Sequence, residues 1–263
     1  MKFSYIMCEP VPNLAELTAR MRRLAEFGYQ GVELSATHPL GFEVDALAAA
    51  AEQIRLPVVS LLSGWSYSNE GLCLVSPDEA IRDRAVERLN EYVGIAQRLG
   101  ALVVVGLMQG LRSDEPDLAV ANRRISDALA RVARSAEDRG VRLVMEPVNH
   151  LQVGFHHTAA AVSELVERMG SPAAGLMLDT IHMNIEERSM LQTIRQYGDR
   201  IDHFHLCESS GGPFGSGNLD FAAVLAALDE VGYDQYVSIK IYRDANWEDG
   251  ARSAMDFLRR LEG

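Results

Sequence analysis

At 263 residues, 48% hydrophobic and 24% charged, the chain can bury a full core, and a single α/β domain over residues 1–263 is the simplest account of that length. A formal charge of -12 argues against a protein that wraps nucleic acid or lies on an anionic membrane, and favours small neutral or weakly charged partners. Cys8, Cys73 and Cys207 lack disulfide or structural-zinc spacing, no apolar run is long enough for a bilayer, and the start carries no secretory pattern, so a cytoplasmic protein is expected.

From the amino terminus, short β-rich runs alternate with longer amphipathic ones. Strands are expected at residues 3–7, 31–34, 57–63, 102–107, 142–147, 174–179, 201–208 and 236–242. After the first, residues 13–27 place Leu14, Leu17, Met21 and Leu24 on one helical stripe; after the third, residues 77–99 do the same with Ile81, Val86, Leu89, Val93 and Ala96. Glycines stand where helices must turn back into strands, at Gly28, Gly100, Gly140, Gly198 and Gly232. Runs such as Leu102-Val-Val-Val are apolar on both faces, as a parallel strand covered by helices requires. Eight such units predict a closed (β/α)8 TIM barrel, with an open doubly wound sheet as the alternative. Either fold places its chemistry at the carboxyl ends of the strands, and no G-x-G-x-x-G fingerprint follows the first strand to suggest a nucleotide.

Those strand ends carry the polar groups. Glu146 ends Arg142-Leu-Val-Met and precedes Pro147; a structural ion pair is its alternative role. Asp179 ends Gly175-Leu-Met-Leu, with helix N-capping as its structural alternative and His182 in the turn that follows. His203 and His205 alternate on strand seven and so share a face. Glu146, Asp179 and His205 together make an oxygen-rich, one-imidazole set suited to a divalent metal ion, manganese first, with magnesium or cobalt as alternatives. Strand eight, Tyr236-Val-Ser-Ile-Lys240, ends in an ammonium instead of a ligand.

Other candidates surround this set. Asn149 and His150 follow Glu146 closely enough to contact a substrate, His150 also as an acid or base. Trp65 and Tyr67 after strand three offer aromatic cover for a sugar face, and Arg243 and Trp247 lie just beyond strand eight. Glu33, ending strand two, is placed to hydrogen-bond a metal ligand from behind. His156 and His157 fit either a substrate contact or a solvated pair. The glycine-rich loop 209–217 fits a lid better than a phosphate cradle, because no lysine or arginine is near it in sequence.

The chain resembles the xylose isomerase-like superfamily of sugar isomerases and epimerases over nearly its whole length. The resemblance rests on Glu146-Pro-Val-Asn149, Leu178-Asp179-Thr-Ile-His182-Met-Asn-Ile-Glu186, His203-Phe-His205-Leu and Gly215-Ser-Gly217-Asn-Leu-Asp220-Phe221, with lesser echoes at Gly28-Tyr-Gln-Gly-Val-Glu33 and Ser76-Pro-Asp-Glu79 with Arg82. The ketose 3-epimerases and inosose isomerases are the most similar members. That resemblance implies a (β/α)8 barrel with one divalent metal at the Glu146, Asp179 and His205 positions, substrate contact at His182, a small carbohydrate substrate and a homo-oligomer. It also implies a glutamate at the end of strand eight, completing the metal site and serving as one of two acid/base groups. This chain departs from that pattern at Lys240. Gln152 and Gly211 depart as well, standing where the resemblance implies a glutamate and an arginine.

An epimerase or isomerase removes a proton beside a carbonyl and returns one to another face or carbon. The first expectation is therefore a metal-dependent sugar or cyclitol isomerase or epimerase working through an enediolate, with Glu146 and either Lys240 or His182 moving the proton. The second is a lyase on a 3-oxo-sugar derivative, where one base and one acid suffice for β-elimination. The catalytic subunits of C-glycoside deglycosidases are similar to this superfamily and would fit, working with a small β-rich partner chain. The third is a sugar-binding barrel without catalysis. An abasic-site endonuclease on the same fold is disfavoured by the acidic charge. Lys240 itself has three roles open to it: a proton shuttle, a salt bridge to Glu146 or Asp179 that excludes metal, or a hydrogen bond to a substrate oxygen.

Overall fold

The computed structural model describes residues 1–37, 40, 42–243 and 246–261. Its strands are β1 (Lys2–Met7), β2 (Gly31–Ser35), β3 (Val58–Leu62), β4 (Leu102–Val105), β5 (Leu143–Met145), β6 (Ala174–Asp179), β7 (Ile201–Cys207) and β8 (Tyr236–Lys240). They pair in parallel in chain order and β8 closes onto β1, which decides for the barrel over the open sheet. The helices are α1 (Leu14–Phe27), α2 (Val44–Ile54), α3 (Gly64–Glu70), α4 (Glu79–Leu99), α5 (Leu118–Asp138), α6 (Ala159–Met169), α7 (Thr180–Glu186), α8 (Met190–Tyr197), α9 (Phe221–Glu230) and α10 (Trp247–Leu261). Among the described residues no helix is long and apolar enough to cross a membrane.

The expected strands are all present, but several stop early at their carboxyl ends. The ladder of β4 ends at Val105 because Leu107–Gln109 winds into a 3-10 turn, and β5 ends at Met145 just before Pro147, which has no N–H to donate. These truncated ends become the loops that build the site. Asn13 caps α1 by accepting from the Glu16 N–H, and Asp78 caps α4 by accepting from Ala80, moving its start two residues inside the expected span. Gly28 and Gly100 close their helices in the left-handed conformation, and Gly140 and Gly232 also have positive φ. Gly198 differs: its φ is -50° and it continues into a 3-10 turn. A Cβ at 198 would lie 2.5 Å from Val231 Cβ, so this glycine serves close packing between the ends of α8 and α9.

Helix stripes such as Leu17, Met21 and Leu24 pack onto the outer faces of the strands, each fully buried apolar side chain stabilising by roughly 1.5–3 kcal/mol. The lumen of the barrel is divided. On the β4–β6 side Val104, Val144 and Met177 form a separate apolar cluster with Leu62 and Leu102 against it. The β7-β8-β1-β2-β3 side carries buried polar groups instead: His203, Ser238, Ser4, Glu33 and Ser60. Polar groups at this depth are tolerable only when paired with one another, and that pairing anchors the site above them.

Candidate active site

Strand register builds the site. Asp179 on β6 lies beside His205 on β7, and His205 beside Ser238 on β8. Lys240, two residues beyond Ser238, therefore projects from the same inward face one layer nearer the mouth. Glu146 is the first residue past β5 and its N–H still donates to Val105 O at 3.0 Å. Gly106 leaves room for the Glu146 carboxylate: a Cβ there would sit 2.5 Å from Glu146 Oε2 and 3.0 Å from Val148 Cγ2. Asp179 fills both roles that its position allows. Oδ1 caps α7 by accepting from Ile181 N at 3.0 Å, while Oδ2 faces the lumen.

Five side chains converge. Lys240 Nζ donates to Asp179 Oδ2 at 2.7 Å and lies 3.8 Å from Glu146 Oε1. His205 Nδ1 is 3.6 Å from Asp179 Oδ2 and 3.8 Å from Glu146 Oε1. His182 Nε2 is 3.4 Å from Glu146 Oε1 and 4.0 Å from Asp179 Oδ2. Asn149 Nδ2 donates to His182 Nδ1 at 2.7 Å, so the proton of the neutral ring sits on Nε2, on the side of Glu146 but not aligned for a hydrogen bond to its Oε1. Beneath, Glu33 accepts from His203 Nε2 at 2.5 Å, His205 Nε2 at 3.1 Å and Ser60 Oγ at 2.5 Å. With Nε2 committed to Glu33, His205 turns Nδ1 upward, where the ring presents a lone pair once it is neutral. Among the described residues, Glu146 Oε1 and His205 Nδ1 are fully buried yet have no hydrogen-bond partner.

The charges reinforce one another. Burial would raise the Asp179 and Glu146 carboxyls, but the Lys240 ammonium, helped by His182 and His205, holds both below their ordinary values. Burial would likewise lower Lys240, and Asp179 with Glu146 instead hold it well above its ordinary value. Burial disfavours the His205 imidazolium, yet Glu33 and Asp179 outweigh it and push that pKa up to about 9.

The set can be tested against a divalent cation on these observations. Glu146 and Asp179 lie close enough to His182 to hold an ion, His205 Nδ1 is within 4 Å of the same two oxygens, and Glu146 Oε1 and His205 Nδ1 lack any partner. Three buried carboxylates, Glu33, Glu146 and Asp179, face one ammonium and the proton that His205 takes up; an ion on Nδ1 would displace that proton, and with neutral imidazoles the cluster then carries two uncompensated negative charges. That is the charge of one divalent ion, and the residues fit. Glu33, His203 and His205 are also close enough together to hold an ion, but their facing atoms are already bonded to one another.

A cavity of about 280 Å³ opens above the cluster. Glu146, His182, His205 and Lys240 form its polar floor; Leu62, Trp65, Leu107, Val148, Ile181 and Tyr242 form apolar walls; Ser35, Ser63, Ser68 and Gln152 supply scattered hydrogen-bonding groups. Cys8 also lines it, but burial pushes its thiol up to about 11, which leaves it unreactive at neutral pH.

The structure brings Glu146, Asp179, His182, His205 and Lys240 together, with Trp65 in the wall and Asn149 acting through His182. It does not bring in His150, which is exposed and bonded through Nδ1 to Glu186 at 2.6 Å, or Arg243, which lies exposed over the Tyr242 ring at 5.7 Å and does not line the cavity. Tyr67 is occupied by Asp114 at 2.9 Å, and the Trp247 ring lies against Arg20. His156 and His157 line a different cavity with Glu164 and Arg168. Two amides of loop 209–217, Ser209 N and Gly215 N, and Leu219 N just beyond it donate to the buried Glu208 carboxylate, so the loop wraps a carboxylate of its own chain. Tyr242 went unnoticed in the sequence. The signal for it is Gly211, where a Cβ would fall 2.4 Å from the tyrosine ring; an arginine at 211 and Tyr242 in this position are mutually exclusive.

A closed parallel barrel whose carboxylates, imidazoles and ammonium converge under a cavity at the carboxyl ends of β5–β8 has the architecture of a barrel enzyme. The chain belongs to the xylose isomerase-like TIM barrel family, whose profile matches residues 21–261. It is 34% identical to L-ribulose 3-epimerase of Mesorhizobium japonicum over 231 residues, 87% of this chain and 76% of that protein. It is 30% identical to ketose 3-epimerase of Arthrobacter globiformis over 216 residues, 81% of this chain and 73% of that one. A solved structure of L-ribulose 3-epimerase matches with a TM-score of 0.88 at 28% identity, covering 99% of this chain and 94% of its own. The E. coli 3-keto-D-glucoside 4-epimerase shares the fold, with a TM-score of 0.85 at 21% identity over 100% of this chain and 99% of its own.

Proposed function

We propose that this protein is a divalent-metal-dependent epimerase or isomerase of a ketose, cytoplasmic and homo-oligomeric. The observation that carries the reading is Glu146 Oε1: buried, without a hydrogen bond, and set in the floor of a sugar-sized cavity between His182 Nε2 and Lys240 Nζ. The similarity to ketose 3-epimerases supports the choice of substrate class. Glu146, Asp179 and His205 would hold the cation, manganese by preference, and the cation when bound supplies Lewis-acid polarisation of substrate oxygens.

The protein groups do the rest. Glu146, kept ionised by Lys240, takes the proton from the carbon beside the carbonyl. His182, its Nε2–H fixed by Asn149, and Lys240 are the groups positioned to return a proton or to steady the substrate hydroxyls. Trp65 and the aliphatic walls exclude water from the exchanging carbon and pack against a sugar face. The direct test is proton exchange in D2O, followed by NMR, with L-ribulose and D-psicose and the manganese-loaded protein. Deuterium at carbon 3 together with the epimeric product is expected; absence of exchange at every carbon of both sugars would sink the proposal.

One feature favours a second reading. A single carboxylate base faces a cationic acid here, the pairing that β-elimination from a 3-oxo-sugar derivative requires. Release of the leaving group from a 3-oxo-glycoside, with no epimer formed from either ketose, would select that lyase and prompt a search for a small β-rich partner chain.

A further inference from the structure

Resting on the metal-dependent reading above, we propose that Lys240 is the built-in cation of this site: its ammonium holds Asp179 in the metal-free protein, and a divalent ion enters by displacing it toward the cavity. Asp179 Oδ2 is bonded to Nζ at 2.7 Å and is the same oxygen that faces His205 Nδ1 at 3.6 Å. Ammonium and metal ion, which repel each other, therefore compete for one oxygen. Asp179 cannot resolve the competition by turning away, because its other oxygen caps α7 through Ile181 N and the residue is fully buried. Lys240 can. Its side chain is 20% exposed and lines the 280 Å³ cavity, so the flexible stem has a way out.

The exchange is also favoured by what the lysine leaves undone. Nζ bonds Asp179 but stands 3.8 Å from Glu146 Oε1, and both that oxygen and His205 Nδ1 stay unpartnered. A divalent ion serves all three atoms where the ammonium serves one. Repulsion between the two cations then keeps the displaced ammonium on the cavity side, within the space a substrate occupies. Metal loading thus delivers Lys240 to the substrate, and the vacated protein stays folded because the lysine returns to Asp179.

The test is manganese binding by isothermal titration calorimetry to EDTA-stripped wild type, Lys240→Met and Lys240→Glu, with thermal unfolding of each, with and without manganese, as a fold check. Methionine keeps the stem and removes the charge; glutamate adds a fourth ligand. Lys240→Met is expected to bind on the order of 10- to 100-fold tighter than wild type, the usual scale for a group bonded to a ligating carboxylate, and Lys240→Glu tighter still. Both variants should melt below wild type without metal and gain more than wild type when manganese is added. If wild type binds one equivalent and neither variant binds tighter, the displacement idea is overturned while the metal-dependent reading stands. If wild type binds nothing and Lys240→Glu binds one equivalent, Lys240 is a cation that manganese does not displace, and the displacement falls together with the metal-dependent reading. Binding by none of the three overturns both.

Discussion

Two clusters of carboxylates and imidazoles lie back to back in this barrel and share His205. The lower one, Glu33 with His203, His205 and Ser60, is sealed: each facing atom is bonded to another, and the residues are almost completely buried. The upper one, Glu146 and Asp179 with His182 and Lys240, opens into a cavity and leaves Glu146 Oε1 unpaired, together with His205 Nδ1. The contrast separates two uses of buried charge. A satisfied network fixes position, because moving any member strands its neighbours; an unsatisfied one is stable only while nearby opposite charge compensates it, and it is the one with binding energy left to give. His205 links the two, with Nε2 held from below and Nδ1 presented above.

The largest effect should come from the unpaired atom. Glu146→Gln keeps the shape and removes both the negative charge and the basicity, and epimerisation should fall by about 10²- to 10⁴-fold. A steady-state rate within tenfold of wild type would remove Glu146 as the base and undo the distinction drawn between the clusters. Breaking the sealed cluster should act differently. Glu33→Gln forces one of its imidazole partners to change tautomer or lose its bond, loosening His205, and manganese affinity should drop by roughly 10- to 100-fold. Because Glu33 touches neither cavity nor substrate, most of the turnover number should return at saturating manganese. A loss of turnover that metal cannot restore would mean the lower cluster takes part in the chemistry.

Asn149→Ala asks the same question of His182 on a smaller scale. Removing the Nδ2 donor leaves a buried ring nitrogen without its partner, which should cost about 1–3 kcal/mol of stability and a few-fold to tenfold in kcat/KM as the Nε2 proton loses its fixed aim. Unfolding curves and kinetics together check it: stability lost with kinetics untouched would make Asn149 a packing residue only.

Much of this arrangement was legible from residue order, and the exceptions have physical reasons. Strand positions follow from short apolar runs punctuated by glycine, and the inward set at Asp179, His205 and Lys240 follows from two-residue alternation along neighbouring strands. Alternation stops where strands stop. Beyond β5 and β8 nothing periodic says where a side chain points, so His150, drawn outward by Glu186 from 36 residues away, and Arg243, lying over Tyr242, looked like substrate contacts and line no part of the cavity. Asp179 was readable both as a ligand and as a helix cap because it has two oxygens, and the structure uses one for each. The Lys240–Asp179 bond was one of several possibilities for a lysine at a strand end, and it takes the register of three strands to bring the two side chains together.

A buried unpaired nitrogen is not by itself the mark of a site, and His156 sharpens that point with the smallest expected effect. Its Nε2 is also buried without a partner, but Nδ1 is bonded to Gln109 at 2.9 Å, its φ is 49°, and it lines a different cavity from Glu146, His182 and His205. Burial lowers its pKa from 6.5 to about 4, helped by Arg168 and His157, whereas carboxylates push His205 up to about 9. A folded-state pKa below the unfolded value means that the unfolded chain takes up the proton first. The stability His156 contributes is therefore complete above pH 6.5 and is lost as pH falls from 6.5 through about 4. His156→Asn tolerates the left-handed backbone and does not titrate in that range, so the melting-temperature gap between wild type and variant should narrow or reverse by the equivalent of roughly 1–3 kcal/mol between pH 7 and pH 4. A gap that stays constant would show that this imidazole titrates in the folded protein as it does in the unfolded chain, and that its unpaired nitrogen, unlike Glu146 Oε1, is not held in a dry environment at all.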